Sequence, residues 1–65
     1  MKAIEIKRIR ARLELSQSEF AELIDVSVRT LQDWEQGRHE PNAAAARLLE
    51  LANAGLFVTA MRGDK

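Results

Sequence analysis

The chain has no cysteine, so neither a disulfide nor a thiolate metal site can staple it. No apolar run approaches the roughly 18 residues of a membrane span, and the opening MKAIEIKRIR carries charge where a signal peptide has its apolar core. There is no net charge either, because ten basic and ten acidic residues cancel. That balance argues against a surface that grips nucleic acid by charge all over. At 65 residues the chain is short for a single core, so a partner surface or close helix packing is expected. The sequence offers no pocket of adequate size, and its acids are spaced as helix caps and surface pairs. Catalysis is therefore excluded, and no cofactor or metal is expected. His39, the lone histidine, lies in a loop and is assigned at most a phosphate contact. What remains is a small soluble domain, read as cytoplasmic, with no membrane partner.

Charge distribution says more than the sum. Lys2, Lys7, Arg8, Arg10 and Arg12 crowd the start, Arg29, Arg38 and Arg47 punctuate the middle, and acids gather at Glu14, Glu19, Glu22 and Asp25. A local basic stripe is compatible with the neutral total. Ile6, Ile9 and Leu13 recur at i, i+3 and i+7, which predicts a helix from residue 3 to 13 with Arg10 on the edge of its apolar stripe. Ser16 followed by Glu19 fits a capping box, opening a second helix whose buried face is Phe20, Ala21 and Ile24. The stretch DVS at 25–27 breaks the pattern. Asp25 tolerates the left-handed backbone that ends helices, Val26 plugs the angle, and Ser27 caps a third helix that Gly37 ends. Pro41 fixes the loop RHEPN, and Asn42 caps a fourth helix over 43–54 that Gly55 stops. Leu48, Leu49, Leu51 and Ala52 are its expected core contacts. Two short helices joined by a three-residue turn make a helix-turn-helix.

Wound at about 100° per residue, the segment SVRTLQDWEQG turns Thr30, Leu31 and Trp34 one way and Val28, Arg29, Gln32, Asp33 and Gln36 the other. Trp34 shares its face with Leu31 and belongs to the core. The second face is rich in hydrogen-bonding groups and carries a bare valine. An α-helix fits the major groove of double-stranded DNA, where such groups read base edges. Arg29 can bond guanine O6 and N7 together, Gln32 can pair with adenine, Asp33 can accept from cytosine N4, and Val28 can meet a thymine methyl. The bland alternative is a solvated helix in which Arg29 and Asp33 form an i,i+4 pair of about 0.3 kcal/mol. The short turn and the two caps favour a presented helix.

The run LSQSEFAELIDVSVRTLQDWEQG, residues 15–37, resembles the helix-turn-helix of the phage-repressor family, also called Cro-like or XRE. The matching positions are Ser16–Gln17, Phe20–Ala21, Val26–Ser27, Thr30–Leu31, Trp34–Glu35 and Gly37, and Arg10 and Leu13 fall where that family's first helix has them. The run RTLQDWEQGRHEPNAAAARLLELA resembles the DNA-binding halves of HigA- and MqsA-type antitoxins. The resemblance implies an all-α, lambda-repressor-like bundle of four to five short helices, a two-fold homodimer, and repression at a palindromic operator. It implies base contacts by Val28, Arg29, Gln32 and Asp33, and phosphate contacts by Gln17, Ser27, Gln36 and Arg38. Gln17 also sits in the first turn of the second helix, whose N–H groups and dipole attract a phosphate. Arg10 and Glu35 border the apolar faces of their helices, and the family places the two in contact, so a partly buried ion pair is expected. Two positions depart from the family: Asp25 stands where glycine is usual, and Asp33 brings negative charge near the duplex.

The tail LFVTAM is apolar and β-prone, and pairing with a second copy would hide it. Residues 1–55 are thus expected to form the DNA-binding domain. Residues 56–65 are expected to form a dimerisation segment carried by Leu56, Phe57, Val58 and Met61, open to a β-strand. The expected function is a dimeric repressor of its own operon, either an antitoxin with a toxin protein as partner or a phage or mobile-element regulator. From a different class stands a protein-interaction module of the same fold that binds a toxin or other protein without reading DNA. Zero net charge and Asp33 favour the module; the intact base-facing set and Gln17 oppose it.

Overall fold

Three of the helices in the chain start on a side chain that accepts an otherwise orphaned backbone N–H. A computed structural model describes residues 1–55, which hold α1 (Ala3–Leu13), α2 (Gln17–Leu23), α3 (Val28–Glu35) and α4 (Ala43–Asn53). No strand occurs among the described residues. The tail, with Leu56, Phe57, Val58 and Met61, lies outside them. At α2 the Glu19 N–H donates to Ser16 Oγ at 3.0 Å while the Ser16 N–H donates to Glu19 Oε1 at 2.9 Å, a complete capping box. The Thr30 N–H donates to Ser27 Oγ at 3.0 Å to start α3, and the Ala45 N–H donates to Asn42 Oδ1 at 2.8 Å to start α4. α1 uses the reverse half of the device, its Glu5 carboxylate accepting from the Lys2 N–H at 2.8 Å.

The ends of the first three helices repeat one geometry. Glu14, Asp25 and Gly37 have φ of 59°, 62° and 82°, and each is followed by a residue whose N–H reaches back to a carbonyl five positions earlier. Those bonds run from Leu15 to Arg10 at 3.3 Å, from Val26 to Ala21 at 2.9 Å and from Arg38 to Asp33 at 2.9 Å. This is the Schellman closure, which satisfies carbonyls that the helix leaves open. It reverses the chain within a few residues, so α2 and α3 are joined without slack.

The core is built from every helix. Ile6 and Ile9 of α1, Phe20 and Ala21 of α2, Ile24 at its end, Leu31 and Trp34 of α3, and Leu49 and Ala52 of α4 are buried. α3 packs against both α1 and α2, and α4 packs against α1. Leu13, Val26 and Leu48 are partly buried and close the cluster. Val26 thus fills the angle of the turn. Leu51 is half-buried, and Ala54 follows α4 as its cap rather than continuing the helix. Arg12 Nη1 donates to Asn53 Oδ1 at 2.7 Å and ties the end of α1 to the end of α4.

Glu14 adopts a left-handed conformation that its Cβ disfavours, and its exposed side chain makes no hydrogen bond or ion pair among the described residues. Glu14→Gly should therefore raise unfolding stability by about 0.5–1 kcal/mol, the relief of strain exceeding the added flexibility of the unfolded chain. Thermal unfolding checks this: for a domain this size the midpoint should rise by a few degrees, roughly 4–8 °C per kcal/mol. A lowered midpoint would contradict it.

Candidate nucleic-acid interface

Three polar residues sit on the apolar stripes of three different helices. Arg10 follows Ile6 by four positions, Gln17 precedes Phe20, Ala21 and Ile24 at i+3, i+4 and i+7, and Glu35 follows Leu31 by four. Helical spacing turns all three inward, and there they meet. Arg10 Nε donates to Glu35 Oε2 at 2.7 Å and its Nη2 donates to Oε1 at 3.0 Å, fork against fork. Its Nη1 donates to the Leu15 carbonyl at 3.2 Å. Gln17 Nε2 donates to Glu35 Oε1 at 3.0 Å. The Glu35 side chain is 4% exposed and that of Arg10 26%. Burial pushes the Glu35 carboxyl up, but hydrogen bonds from Arg10 and Gln17 and the charges of Arg10 and Lys7 outweigh it and hold the group below its ordinary value. The hydrogen bond to Glu35 raises Arg10 against the opposing effect of burial. Among the described residues no buried side-chain nitrogen or oxygen lacks a partner.

With its inner face anchored, α3 turns the other side to solvent. Arg29, Gln36 and Arg38 are exposed, and Gln32 and Asp33 are half-buried. Val28 is half-buried and packs in part against the core, so only part of its side chain is free for a base. Asp33 Oδ1 lies 3.8 Å from Arg29 Nε and 3.6 Å from Arg38 Nη1. Gln32 Nε2 lies 3.5 Å from Gln17 Oε1, a long contact that brings α2 onto the same surface. The Ser27 hydroxyl also donates to Thr30 Oγ1 at 2.9 Å, so a phosphate contact there requires it to rotate. Thr30, placed on the inward face by periodicity, is half-buried and serves the cap. The structure therefore gathers Gln17, Val28, Arg29, Gln32, Asp33 and Arg38 around the outer side of α3.

Two relationships escaped the reading of the sequence. Gln17 is held by Glu35 on one side and Gln32 on the other, and its place on the apolar stripe of α2 was the available signal. Arg38 is drawn to Asp33 by the chain reversal at Gly37, which a lone glycine after a helix foreshadows. Elsewhere, a cavity of about 260 Å³ is lined by Met1, Glu5, Arg8, Ile9, Arg12 and Asn53, none of them in α2 or α3. Among the described residues no three His, Asp or Glu side chains converge to hold a metal ion, and no helix is long and apolar enough to cross a membrane.

The sequence profile of the helix-turn-helix family matches residues 6–53. The chain is 49% identical over 47 residues to the antitoxin HigA-2 of Vibrio cholerae, a match covering 72% of this chain and 45% of the antitoxin. It is 40% identical over 50 residues to the type II methyltransferase M.MspI of Moraxella sp, covering 77% of this chain and 12% of the methyltransferase. The chain thus spans less than half the length of either curated relative. No solved structure matches the chain significantly.

The depressed carboxyl of Glu35 has a signed consequence for stability. Its contribution is present above the ordinary glutamate range, near pH 4.3, and is lost as pH falls through the lower folded-state value. Urea unfolding across that acid range should show wild-type stability declining. In Glu35→Gln stability at neutral pH should already be lower by about 3 kcal/mol or more, and this part of the acid decline should be absent. Identical pH profiles for the two proteins would contradict the assignment.

Proposed function

The chain belongs to the helix-turn-helix family, and from that premise we propose that it is a sequence-specific DNA-binding regulator of the antitoxin type. The observation that carries the reading is the outer face of α3, where Arg29, Gln32 and Asp33 stand clear of a core that holds Leu31, Trp34 and Glu35. Set in the major groove, this face offers a guanine-reading arginine and an adenine-reading glutamine, with Val28 beside them for a thymine methyl. Gln17, Ser27 and Gln36 take phosphates and fix the register, which is the role of contacts that carry no sequence information, and Arg38 stands at the same edge beside Asp33. The protein acts as a homodimer on a palindromic operator in its own promoter, in the cytoplasm. Its two copies of α3 are about 34 Å apart, one turn of DNA. The resemblance to an antitoxin supports a toxin protein as second partner.

One observation favours the other reading, a module that binds a toxin through this surface without reading DNA. Asp33 places a carboxylate in the middle of a face that would meet phosphates.

Fluorescence anisotropy on a duplex from the chain's own promoter, against a scrambled duplex of equal composition, decides between them. The DNA-reading account predicts a preference of about a thousandfold for the promoter at physiological salt. Arg29→Ala should remove about 1–3 kcal/mol of promoter binding and little of the scrambled binding. Equal, weak binding to both duplexes by the wild type would move the function to a protein partner.

A further inference from the structure

Within α3 there are two acids, and they do opposite things. Glu35 is turned inward to Arg10, whereas Asp33, 20% exposed, stands on the outer face between two arginines. One oxygen, Oδ1, serves both: Arg29 approaches from one turn earlier through Nε at 3.8 Å, and Arg38 approaches from beyond Gly37 through Nη1 at 3.6 Å. Arg38 is there because the φ of 82° at Gly37 folds the chain back and the Arg38 N–H donates to the Asp33 carbonyl at 2.9 Å. The arginines are 78% and 60% exposed. Pairs this open and this long contribute little to stability, so the fold does not account for an acid at this position.

We propose that Asp33 is a specificity-determining positioning residue, which withholds Arg38 from phosphates while steadying Arg29 for a base. The inference rests on the DNA-reading role of α3. The two contacts are chemically unequal. Arg29 approaches Asp33 most nearly through Nε, at 3.8 Å, an orientation that leaves both terminal nitrogens of its fork for guanine O6 and N7. Arg38 turns a terminal nitrogen toward the carboxylate, at 3.6 Å, and that is the group a phosphate contact uses. Asp33 thus competes with the phosphate contact and spares the base contact. Its charge also opposes the phosphates of any sequence. Specificity is a difference of affinities, and a repulsive element that acts on both targets separates them when one target depends on phosphates alone. Two arginines and one aspartate leave this patch a single positive charge, and Asp33→Asn doubles it with little change of shape.

The test measures anisotropy of the full chain and its Asp33→Asn variant on the promoter and scrambled duplexes across a salt series, with thermal unfolding as the check on folding. In Asp33→Asn the slope of log K against log salt on the scrambled duplex should steepen by about 0.9, one added phosphate contact. Scrambled binding at low salt should tighten about tenfold, and preference for the promoter should fall by a similar factor. Arg38→Ala should matter little in the wild type and should abolish the gain in the Asp33→Asn background. Unchanged slope and preference would overturn the proposal while leaving DNA reading intact. Loss of promoter binding with scrambled binding unchanged would assign Asp33 to a cytosine and overturn it as well. A wild type with no preference between the duplexes would overturn both this proposal and the reading beneath it.

Discussion

The carboxylate of Glu35 closes α3 at 4% exposure, and a charge so placed persists only if donors meet it on every side. Arg10 comes from α1, Gln17 from α2 and the acceptor from α3, so three helices are fixed to one another at a single point. Such a pair has a net contribution near zero against an apolar substitute, because desolvation offsets the attraction. Its value lies in direction. Two parallel N–H···O bonds set the rotation of α3 about its axis, and that rotation decides which residues face solvent. Leu31 one turn earlier and Trp34 beside it are thereby committed to the core, and Arg29, Gln32 and Asp33 are committed to the outside.

Turn chemistry completes the presentation. Asp25 in the left-handed region, Val26 partly buried in the angle and Ser27 capping the next helix leave no free residue between α2 and α3. The far end of α3 closes in the same manner at Gly37, and this closure draws Arg38 to the helix face. A helix held at both ends and along its inner side loses little further conformational freedom when it docks, which favours affinity for a rigid groove.

Much of the fold was legible in sequence because the signals were local. Capping residues Ser16, Ser27 and Asn42, and the stops Asp25 and Gly37, mark boundaries through the backbone of their own neighbourhood. The pairing of Arg10 with Glu35 could be expected from their positions beside apolar stripes together with the family resemblance. Gln17 was harder, because its place in the first turn of α2 invites a phosphate while its spacing from Phe20, Ala21 and Ile24 turns it inward. Which demand prevails depends on the distance to Glu35, a residue 18 positions away. The approach of the Arg38 side chain to Asp33 was hidden for a related reason. Helical periodicity stops at the last turn, and only the reversal at Gly37 shows that the next side chain returns.

The central claim is that α3, rotated and locked by Glu35, meets DNA with its outer face. A backbone-amide NMR titration of the chain with its promoter duplex tests this most directly. The account predicts that shifts concentrate at Gln17 and at Val28, Arg29, Gln32, Asp33, Gln36 and Arg38, while the amides of Arg8, Arg12 and Asn53 around the α1–α4 cavity stay in place. Shifts centred on that cavity, with α3 undisturbed, would contradict it.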